Sequence, residues 1–138
     1  MRKTLRGFTL IELMVAMAVM AIGFTILTAY FSGIQQKSRD ARRMSDVNEI
    51  VKALNIYYAG FSRFPVVASE VIIDSSDSFS SALEGDGAIK ETPKDPQHPH
   101  LTYRYVSTAN GASYTLKFCL ETNKIQGYSA GCDNTKTP

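Results

Sequence analysis

Apolar residues fill the chain from residue 8 to residue 34, and Glu12 is the only charged side chain among these 27 residues. As an α-helix, a run of this length extends about 40 Å, which exceeds the roughly 30 Å hydrocarbon core of a bilayer. Gly23 and Gly33 lie within the run, but no proline interrupts it. The pattern therefore predicts one transmembrane helix near the N terminus.

A helical pattern of apolar and polar positions continues beyond this run. Apolar residues recur at spacings of three and four, which places them on one face of a helix: Val47, Ile50, Val51, Leu54, Tyr57, Tyr58 and Phe61. No helix-breaking residue occurs between Gln35 and Ala59, and Gly60 followed by Pro65 predicts the end of the helix. We therefore expect one helix from residue 8 to about residue 59, with an amphipathic segment over residues 35–61 that packs against a head domain.

Residues 62–138 form the predicted head. Residues 62–100 are rich in Ser, Asp, Gly and Pro, which predicts mostly loop with one short helix over residues 79–83. Two alternating runs, LTYRYVS and YTLKFCLE, flank the turn-forming ANGAS and predict a β-hairpin, and a third strand is expected over residues 124–128. The predicted fold class is α+β, with a long helix packed on a small antiparallel sheet, because so few strands need the helix to complete a core.

The positive charge of the chain is concentrated in residues 1–7. The formal net charge is +2, from 15 basic and 13 acidic residues. Without the three basic residues of this segment, Arg2, Lys3 and Arg6, 12 basic residues remain against 13 acidic ones, for a net charge of −1. The rest of the chain therefore gives no argument for nucleic-acid binding. Basic residues also follow the apolar run, so the positive-inside rule does not decide its orientation.

The chain has two cysteines, Cys119 and Cys132. An even number of cysteines behind an export-type N terminus predicts one disulfide formed in an oxidising compartment, and this bridge would close a loop of about 14 residues. The alternative is a pair of reduced, partly buried thiols.

A cleaved secretory signal is the alternative to a membrane anchor. Ala16, Met17 and Ala18 match an A-x-A cleavage pattern, and the mature chain would then begin at Val19. This alternative leaves Glu12 inside a short apolar region and a second apolar stretch after the cut, so we favour the anchor.

No motif for catalysis or cofactor binding is apparent in the sequence. Neither GxGxxG nor GxxxxGK[ST] occurs, and the serines of residues 75–81 are typical of a linker. Asp95, His98 and His100 lie close together, but two prolines and the lack of a nearby cysteine favour an ordinary loop over a metal site. We therefore predict no catalytic residue, no metal and no cofactor, and a chain that is not an enzyme.

A short basic leader ends in Gly7 and is followed by FTLIELMV, with Glu12 as the fifth residue of the apolar run. This N terminus resembles the class III signal of type IV pilin-like proteins, a family that comprises type IV pilins and the pseudopilins of type II secretion and of competence. The segment ARRMSDVNEIVKALNIYYAGFSRFP is similar to the helix-to-head junction of major secretion pseudopilins, and PKDPQHPHLTYRYVS is similar to the Pro-Asp-Pro stretch of the family.

The resemblance implies that prepilin peptidase removes residues 1–7 by cleavage after Gly7 and that the new N terminus, Phe8, is methylated on its α-nitrogen. It also implies that Glu12 meets the N-terminal ammonium of a neighbouring subunit during assembly. The implied partners are the peptidase, other copies of the chain, minor pilins or pseudopilins, the inner-membrane assembly platform and membrane lipid. The implied location is the inner membrane as a single-pass precursor with its head outside the cytoplasm, and then a pilus or pseudopilus.

Glu12 poses an energetic problem that such pairing would solve. An ionised side chain at the centre of a transmembrane helix costs about 2.5–3.5 kcal/mol on insertion scales. An ammonium of a neighbouring subunit would offset this cost and fix the axial register between subunits. The alternative is a tolerated polar residue near the lipid headgroups, because Glu12 lies only one turn inside the run.

The sequence lacks a helix proline that is common in the resembled family, and it does not assign a calcium site in the head. Many type IV pilins carry a proline near the position of Ala29, and its absence here leaves open whether the helix partly melts on assembly. The resembled secretion pseudopilins bind calcium in their heads, but the four candidate ligands lack D-x-D-x-D spacing, so no calcium site is assigned. The candidates are Asp74, Asp77, Asp86 and Asp133.

The sequence therefore predicts a structural subunit, a prepilin or prepseudopilin, of a type IV pilus or a type II secretion pseudopilus that polymerises through its N-terminal helix. One alternative is a single-pass, membrane-anchored extracytoplasmic binding domain that keeps its N terminus uncut. Another is a competence pseudopilin in which Arg39, Arg42 and Arg43 contact DNA. A basic patch just past an anchor more often meets lipid headgroups or the acids of a neighbour, so nucleic acid is not an expected partner.

Overall fold

The computed structural model describes residues 7–67 and 69–138 and contains two helices and four strands among them. The elements are α1 (Leu10–Phe61), β1 (Val71–Ile72), α2 (Ser78–Gly85), β2 (Arg104–Ser107), β3 (Tyr114–Leu120) and β4 (Gly131–Lys136). Apart from Gly7, the predicted leader lies outside the described residues. The chain divides into two compact units, Met1–Gln35 and Gln36–Pro138, with the boundary inside α1.

The first unit contains the apolar part of α1, and its large side chains are exposed. Phe24 and Ile26 are 69% and 67% exposed, and the other large apolar side chains described there are similar. Within the described part of the chain, α1 is the one helix that is long and apolar enough to cross a membrane, a test that signal sequences also pass.

The second unit is built on the amphipathic part of α1. Val47, Ile50 and Leu54 are completely buried, which confirms the predicted apolar stripe in the middle of this segment. Tyr58 and Phe61 are 44% and 47% exposed, so the stripe is only partly covered at its end. The opposite, polar face of the helix is exposed as expected.

The sheet of the second unit is antiparallel, with strand order β1-β2-β3-β4. Strands β2 and β3 pair from Ser107↔Tyr114 to Arg104↔Lys117, which confirms the predicted hairpin. Tyr105 is fully buried and stacks on Phe79 of α2, with ring centroids 4.1 Å apart. The α+β fold predicted from the sequence is thus confirmed, with the helix stripe and the inner side of the sheet sharing one core.

The helix ends differ slightly from the expectation. Gly60 does not stop α1, which continues to Phe61. Ser62 then adopts the left-handed conformation (φ 54°), and its N–H donates to the carbonyl of Tyr58 at 2.8 Å. The predicted short helix is confirmed as α2, and Asp77 caps it by accepting a hydrogen bond from the N–H of Ser80.

The hairpin turn packs against the chain that leaves α1. Gly111 has φ +69°, and a Cβ atom there would lie 2.6 Å from the carbonyl oxygen of Phe64. The N–H of Phe64 donates to the carbonyl of Gly111 at 2.8 Å. The backbone approach therefore requires glycine at this position.

The prediction of a third strand over residues 124–128 is wrong. The strand that follows β3 is β4, Gly131–Lys136, and residues 124–128 form a turn in which Gly127 has φ +84°. The ring of Tyr128 packs edge-on against Phe118, so this residue reaches the core from a turn and not from a strand. The two-residue strand β1 lies in the segment that was predicted to be mostly loop.

Candidate functional site

The three residues before α1 are non-helical and exposed. Phe8 is 84% exposed, and a Cβ atom placed on Gly7 would meet no atom within 4 Å. The Gly7–Phe8 peptide bond therefore lies outside the helix and is unobstructed by the described part of the chain.

Thr9 caps the N terminus of α1, a role the sequence reasoning missed. Its side-chain oxygen accepts a hydrogen bond from the N–H of Glu12 at 3.3 Å. The sequence could have predicted this cap, because Thr9 and Glu12 have the T-x-x-E spacing of a capping box. In such a box the glutamate side chain accepts a hydrogen bond from the backbone N–H of the cap residue. Glu12 therefore stands at a defined place in the first helical turn.

The carboxylate of Glu12 is exposed and has no hydrogen-bond or ion-pair partner among the residues that the structure describes. The partial positive charge of the helix N terminus favours a carboxylate in the first turn. A positively charged partner from outside the chain would add a much stronger interaction in an apolar environment.

A second set of interacting residues lies within the second unit, and we call it the charged junction: Arg39, Asp40, Arg43, Asp95 and Glu121. Its centre is the guanidinium of Arg43, which is completely buried. This group pairs with both carboxylate oxygens of Asp95, at 2.8 and 3.2 Å. It also donates to Asp40 at 2.9 Å and to Glu121 at 2.7 Å. A fifth bond, to the side-chain oxygen of Gln97 at 2.8 Å, uses the last of its N–H groups.

The carboxylates of the junction also bind the backbone where β3 ends. Asp40 accepts hydrogen bonds from the N–H groups of Glu121 and Thr122, at 2.9 and 2.8 Å. Burial acts to raise the pKa of Asp40, but these bonds and those from the Thr122 hydroxyl and Arg43 leave the pKa below its usual value. The helix, the loop at Asp95 and the end of β3 are therefore tied to one buried guanidinium.

Glu121 completes the junction at its more exposed side. Arg39 donates two hydrogen bonds to this carboxylate, at 2.7 and 2.6 Å. The hydrogen bond from Arg39, with a smaller contribution from Arg43, lowers the pKa of Glu121 to about 2 against the opposing effect of burial. The junction contains two cations and three carboxylates, so it keeps a net negative charge when all are ionised.

Asp46 is a buried carboxylate on the same helix, 8% exposed. It accepts a hydrogen bond from the hydroxyl of Tyr103 at 2.9 Å. Burial raises the pKa of Asp46 in spite of this bond, and burial also raises the pKa of Tyr103.

The structure corrects the expected role of the basic patch after the apolar run. Arg39 and Arg43 were expected to meet lipid headgroups or the acids of a neighbour, but both pair with carboxylates of their own chain. Arg42 is exposed and lines a groove of about 540 Å³ whose walls carry the carboxylates of Asp46 and Glu49. Two of the three arginines of this patch, Arg39 and Arg43, are therefore engaged by carboxylates of the head, and Arg42 remains exposed.

Asp95, His98 and His100 do not converge on one point. Asp95 is 4% exposed and paired with Arg43, whereas both histidines are exposed. Within residues 7–67 and 69–138, no cluster of three or more His, Cys, Asp or Glu side chains is arranged to hold a metal ion.

The predicted disulfide is confirmed: Cys119 and Cys132 are bonded, with an S–S distance of 2.08 Å. Cys119 lies on β3 and is 7% exposed, whereas Cys132 lies on the edge strand β4 and is exposed. The bond ties the edge of the sheet to its neighbour, and Glu121 of the charged junction follows Cys119 by two residues.

Comparison with known proteins agrees with the N-terminal motif. A family model described as the prokaryotic N-terminal methylation motif matches residues 2–28. Type II secretion system core protein G of Klebsiella michiganensis is 29% identical over 99 residues, which cover 69% of this chain and 70% of that protein. The protein of the same name from Dickeya chrysanthemi is 25% identical over 137 residues, which cover 96% of this chain and 81% of that protein.

No solved structure matches the chain significantly. The methylation motif lies at the start of the long helix, and the similarity to the Dickeya chrysanthemi protein extends through the head. Together with the long helix packed on a small antiparallel sheet, these similarities support a type IV pilin-like family.

Proposed function

We propose that this chain is a structural subunit of a type II secretion pseudopilus, cleaved after Gly7, methylated on Phe8 and polymerised through α1. The observation that carries the proposal is the methylation motif over residues 2–28, which overlaps the apolar run of residues 8–34 in which Glu12 is the only charge. The similarity to two proteins named core protein G favours the secretion pseudopilus over a type IV pilus.

The exposed Gly7–Phe8 bond supports the processing step. Proteolysis requires a backbone that an enzyme can reach, and this bond precedes the helix. The proposed partner for this step is prepilin peptidase at the inner membrane, with methylation of the α-nitrogen of Phe8 afterwards. The chain is thus a substrate of this chemistry and is assigned no catalytic residue of its own.

The unpartnered carboxylate of Glu12 supports the assembly step. In the membrane it would stand one turn inside the apolar run with no partner from the described part of its own chain. The ammonium of a neighbouring Phe8 would offer an opposite charge in a low-dielectric environment, where such a pair is strong. The remaining proposed partners are minor pseudopilins, the inner-membrane assembly platform and lipid.

Substitutions of Glu12 test the assembly step and separate charge from capping. Glu12→Gln keeps a side chain able to complete a capping box but removes the charge. We expect Glu12→Gln and Glu12→Ala to be processed and retained in the membrane, and both to give a filament yield about tenfold or more below that of the unaltered chain. The readout is filament recovered by sedimentation from gently lysed cells, with the processed monomer in the membrane fraction as the reference.

Thr9→Ala is the matched control, because it removes the helix cap and leaves the charge of Glu12 in place. Normal filament yield from Glu12→Gln would show that the charge is not used in assembly. An uncut N terminus together with indifference to Glu12 would favour the second candidate, a single-pass anchored binding domain.

A further inference from the structure

Charges without an ion-pair partner are unevenly distributed over the second unit. The ion pairs among the described residues engage the cations Arg39, Arg43, Arg104 and Lys117. In residues 36–63, the remaining charges are four cations and two carboxylates, one of them the buried Asp46. This part of the chain therefore keeps an uncompensated positive charge.

The outward face of α1 carries Lys37 and Lys52, which we call the cationic face together with the small residues between them. Glu49, one turn before Lys52, is the one exposed carboxylate among residues 36–63, and Arg42 instead lines a groove with Glu49 and Glu91 of its own copy. Those small residues are exposed and include Ser38, Ala41, Ser45 and Asn48. One turn beyond Lys52, Ile56 is 56% exposed on the same side of the helix. Small side chains permit close approach of another surface, and Ile56 offers it an apolar contact.

The opposite charge is concentrated in residues 74–91, which we call the acidic segment. It contains five carboxylates, at Asp74, Asp77, Glu84, Asp86 and Glu91, against the single cation Lys90. The hydrogen bonds that these carboxylates accept from described residues come from neutral groups, such as the hydroxyl of Ser80 to Asp77 and the N–H of Thr92 to Glu84. Neutral donors leave the negative charge in place, so the segment stays strongly acidic.

We infer that the cationic face of one copy docks on the acidic segment of a second copy, an inference that rests on the proposed function. Neither Lys37 nor Lys52 forms an ion pair with a described residue of its own copy. A contact between these lysines and the acidic segment of a second copy joins two different surfaces, so it is head-to-tail and repeats from copy to copy, as a filament requires. Complementary charges orient such a contact and disfavour wrong partners. This interface would lie outside the membrane and would add to the pairing of Glu12.

Zero-length crosslinking of assembled filaments tests the interface directly. Filaments are assembled from a mixture of isotope-labelled and unlabelled full-length chains and treated with a carbodiimide, which joins an amine to a carboxylate in contact. We expect mixed-label peptides that join Lys37 or Lys52 to the acidic segment. Mixed-label peptides that join these lysines to other segments instead would overturn the inference.

Charge reversal gives a second and independent test. Lys37→Glu with Lys52→Glu, and separately Asp86→Lys with Glu91→Lys, should each lower filament yield about tenfold, because like charges then face each other. All four substitutions together restore opposite charges and should return the yield to within about threefold of the unaltered chain. Lys124→Glu, which reverses an exposed lysine in the β3–β4 connection, is the control and should assemble normally.

The outcomes separate this inference from the proposed function. If the unaltered chain assembles and both reversed pairs assemble equally well, the interface is wrong and the proposed function stands. If the reversed pairs fail and their combination fails too while its monomer stays folded and processed, charge complementarity is not the cause. If the unaltered chain forms no filament, the proposed function fails and the interface fails with it.

Discussion

Arg43 shows how much one residue organises in this head. All five guanidinium N–H groups find acceptors on three segments, although the residue is fully buried. Isolated buried charges are costly, and only a complete set of partners makes such a site tolerable. The residue thereby fixes the position of Asp95 and the end of β3 relative to the helix.

Arg43→Ala should destabilise the head severely. The substitution leaves buried carboxylates without their cation, and breaking a buried ion pair in this way costs about 3–5 kcal/mol. The measurement is the free energy of unfolding of the full-length chain in detergent micelles, from urea titration followed by tyrosine fluorescence.

Arg42→Ala is the adjacent control, since Arg42 is exposed and forms no ion pair with any described residue. It should change the free energy of unfolding by no more than about 0.5 kcal/mol. Equal effects of the two substitutions would contradict the role assigned to Arg43.

The sequence predicted the helix on which Arg43 lies but not its partners. Periodicity places Arg43 beside the buried stripe, yet Asp95 and Glu121 are 52 and 78 residues away along the chain. No local pattern reports contacts at such separations. The cap on α1 is a local contact instead, because Thr9 is only three residues from Glu12, and the sequence shows this spacing directly.

At the scale of elements, the edge strand β4 depends on the disulfide. Its neighbour β3 is almost entirely buried, whereas β4 has one buried residue, Asn134. A strand with so little apolar burial gains little from the core, so the covalent link to Cys119 contributes much of what holds it.

Replacing both cysteines by serine should lower the free energy of unfolding by roughly 3 kcal/mol, as the chain-entropy model gives for a loop of this length. Hydrogen exchange should show the lost protection first in β4 and least in the buried part of α1. The reduced, unaltered chain is the control and should behave like the double variant. Unchanged protection of β4 in the double variant would show that the strand needs no bridge.

The errors in strand prediction have physical causes at this same scale. The strand expected over residues 124–128 is a turn, and from this turn the ring of Tyr128 packs against Phe118. The residues of β4 are polar because one edge and one side of the strand face solvent, so they lack the alternation that identified β2 and β3. The hairpin was predictable because its turn-forming ANGAS and the alternating residues on either side of it are close together in the sequence.

For the molecule as a whole, acid should destabilise the head. The folded-state pKa of Glu121 is about 2, below the usual 4.5, and that of Asp40 is also lowered. Groups with depressed pKa values contribute stability that is present above pH 4.5 and lost as the pH falls towards 2. Asp46 acts in the opposite sense, because its pKa is raised and its protonation favours the folded state.

We expect the lowered groups to dominate, so the free energy of unfolding should fall between about pH 5 and pH 3. Equilibrium unfolding of the full-length chain in micelles, repeated across this range, measures the slope. The dependence should be weaker in Arg43→Ala, which lacks the cation of the junction. A free energy of unfolding that rises on acidification would contradict this assignment.

The central claim concerns the fate of the whole chain, and intact mass spectrometry of the protein isolated from its native membrane tests it most directly. The account predicts a chain that begins at Phe8 and carries one methyl group on its α-nitrogen. A chain that begins at Met1 would contradict processing as a pilin-like subunit and favour an anchored domain. A chain that begins at Val19 would contradict it as well, because the helix needed for assembly would have been removed with a secretory signal.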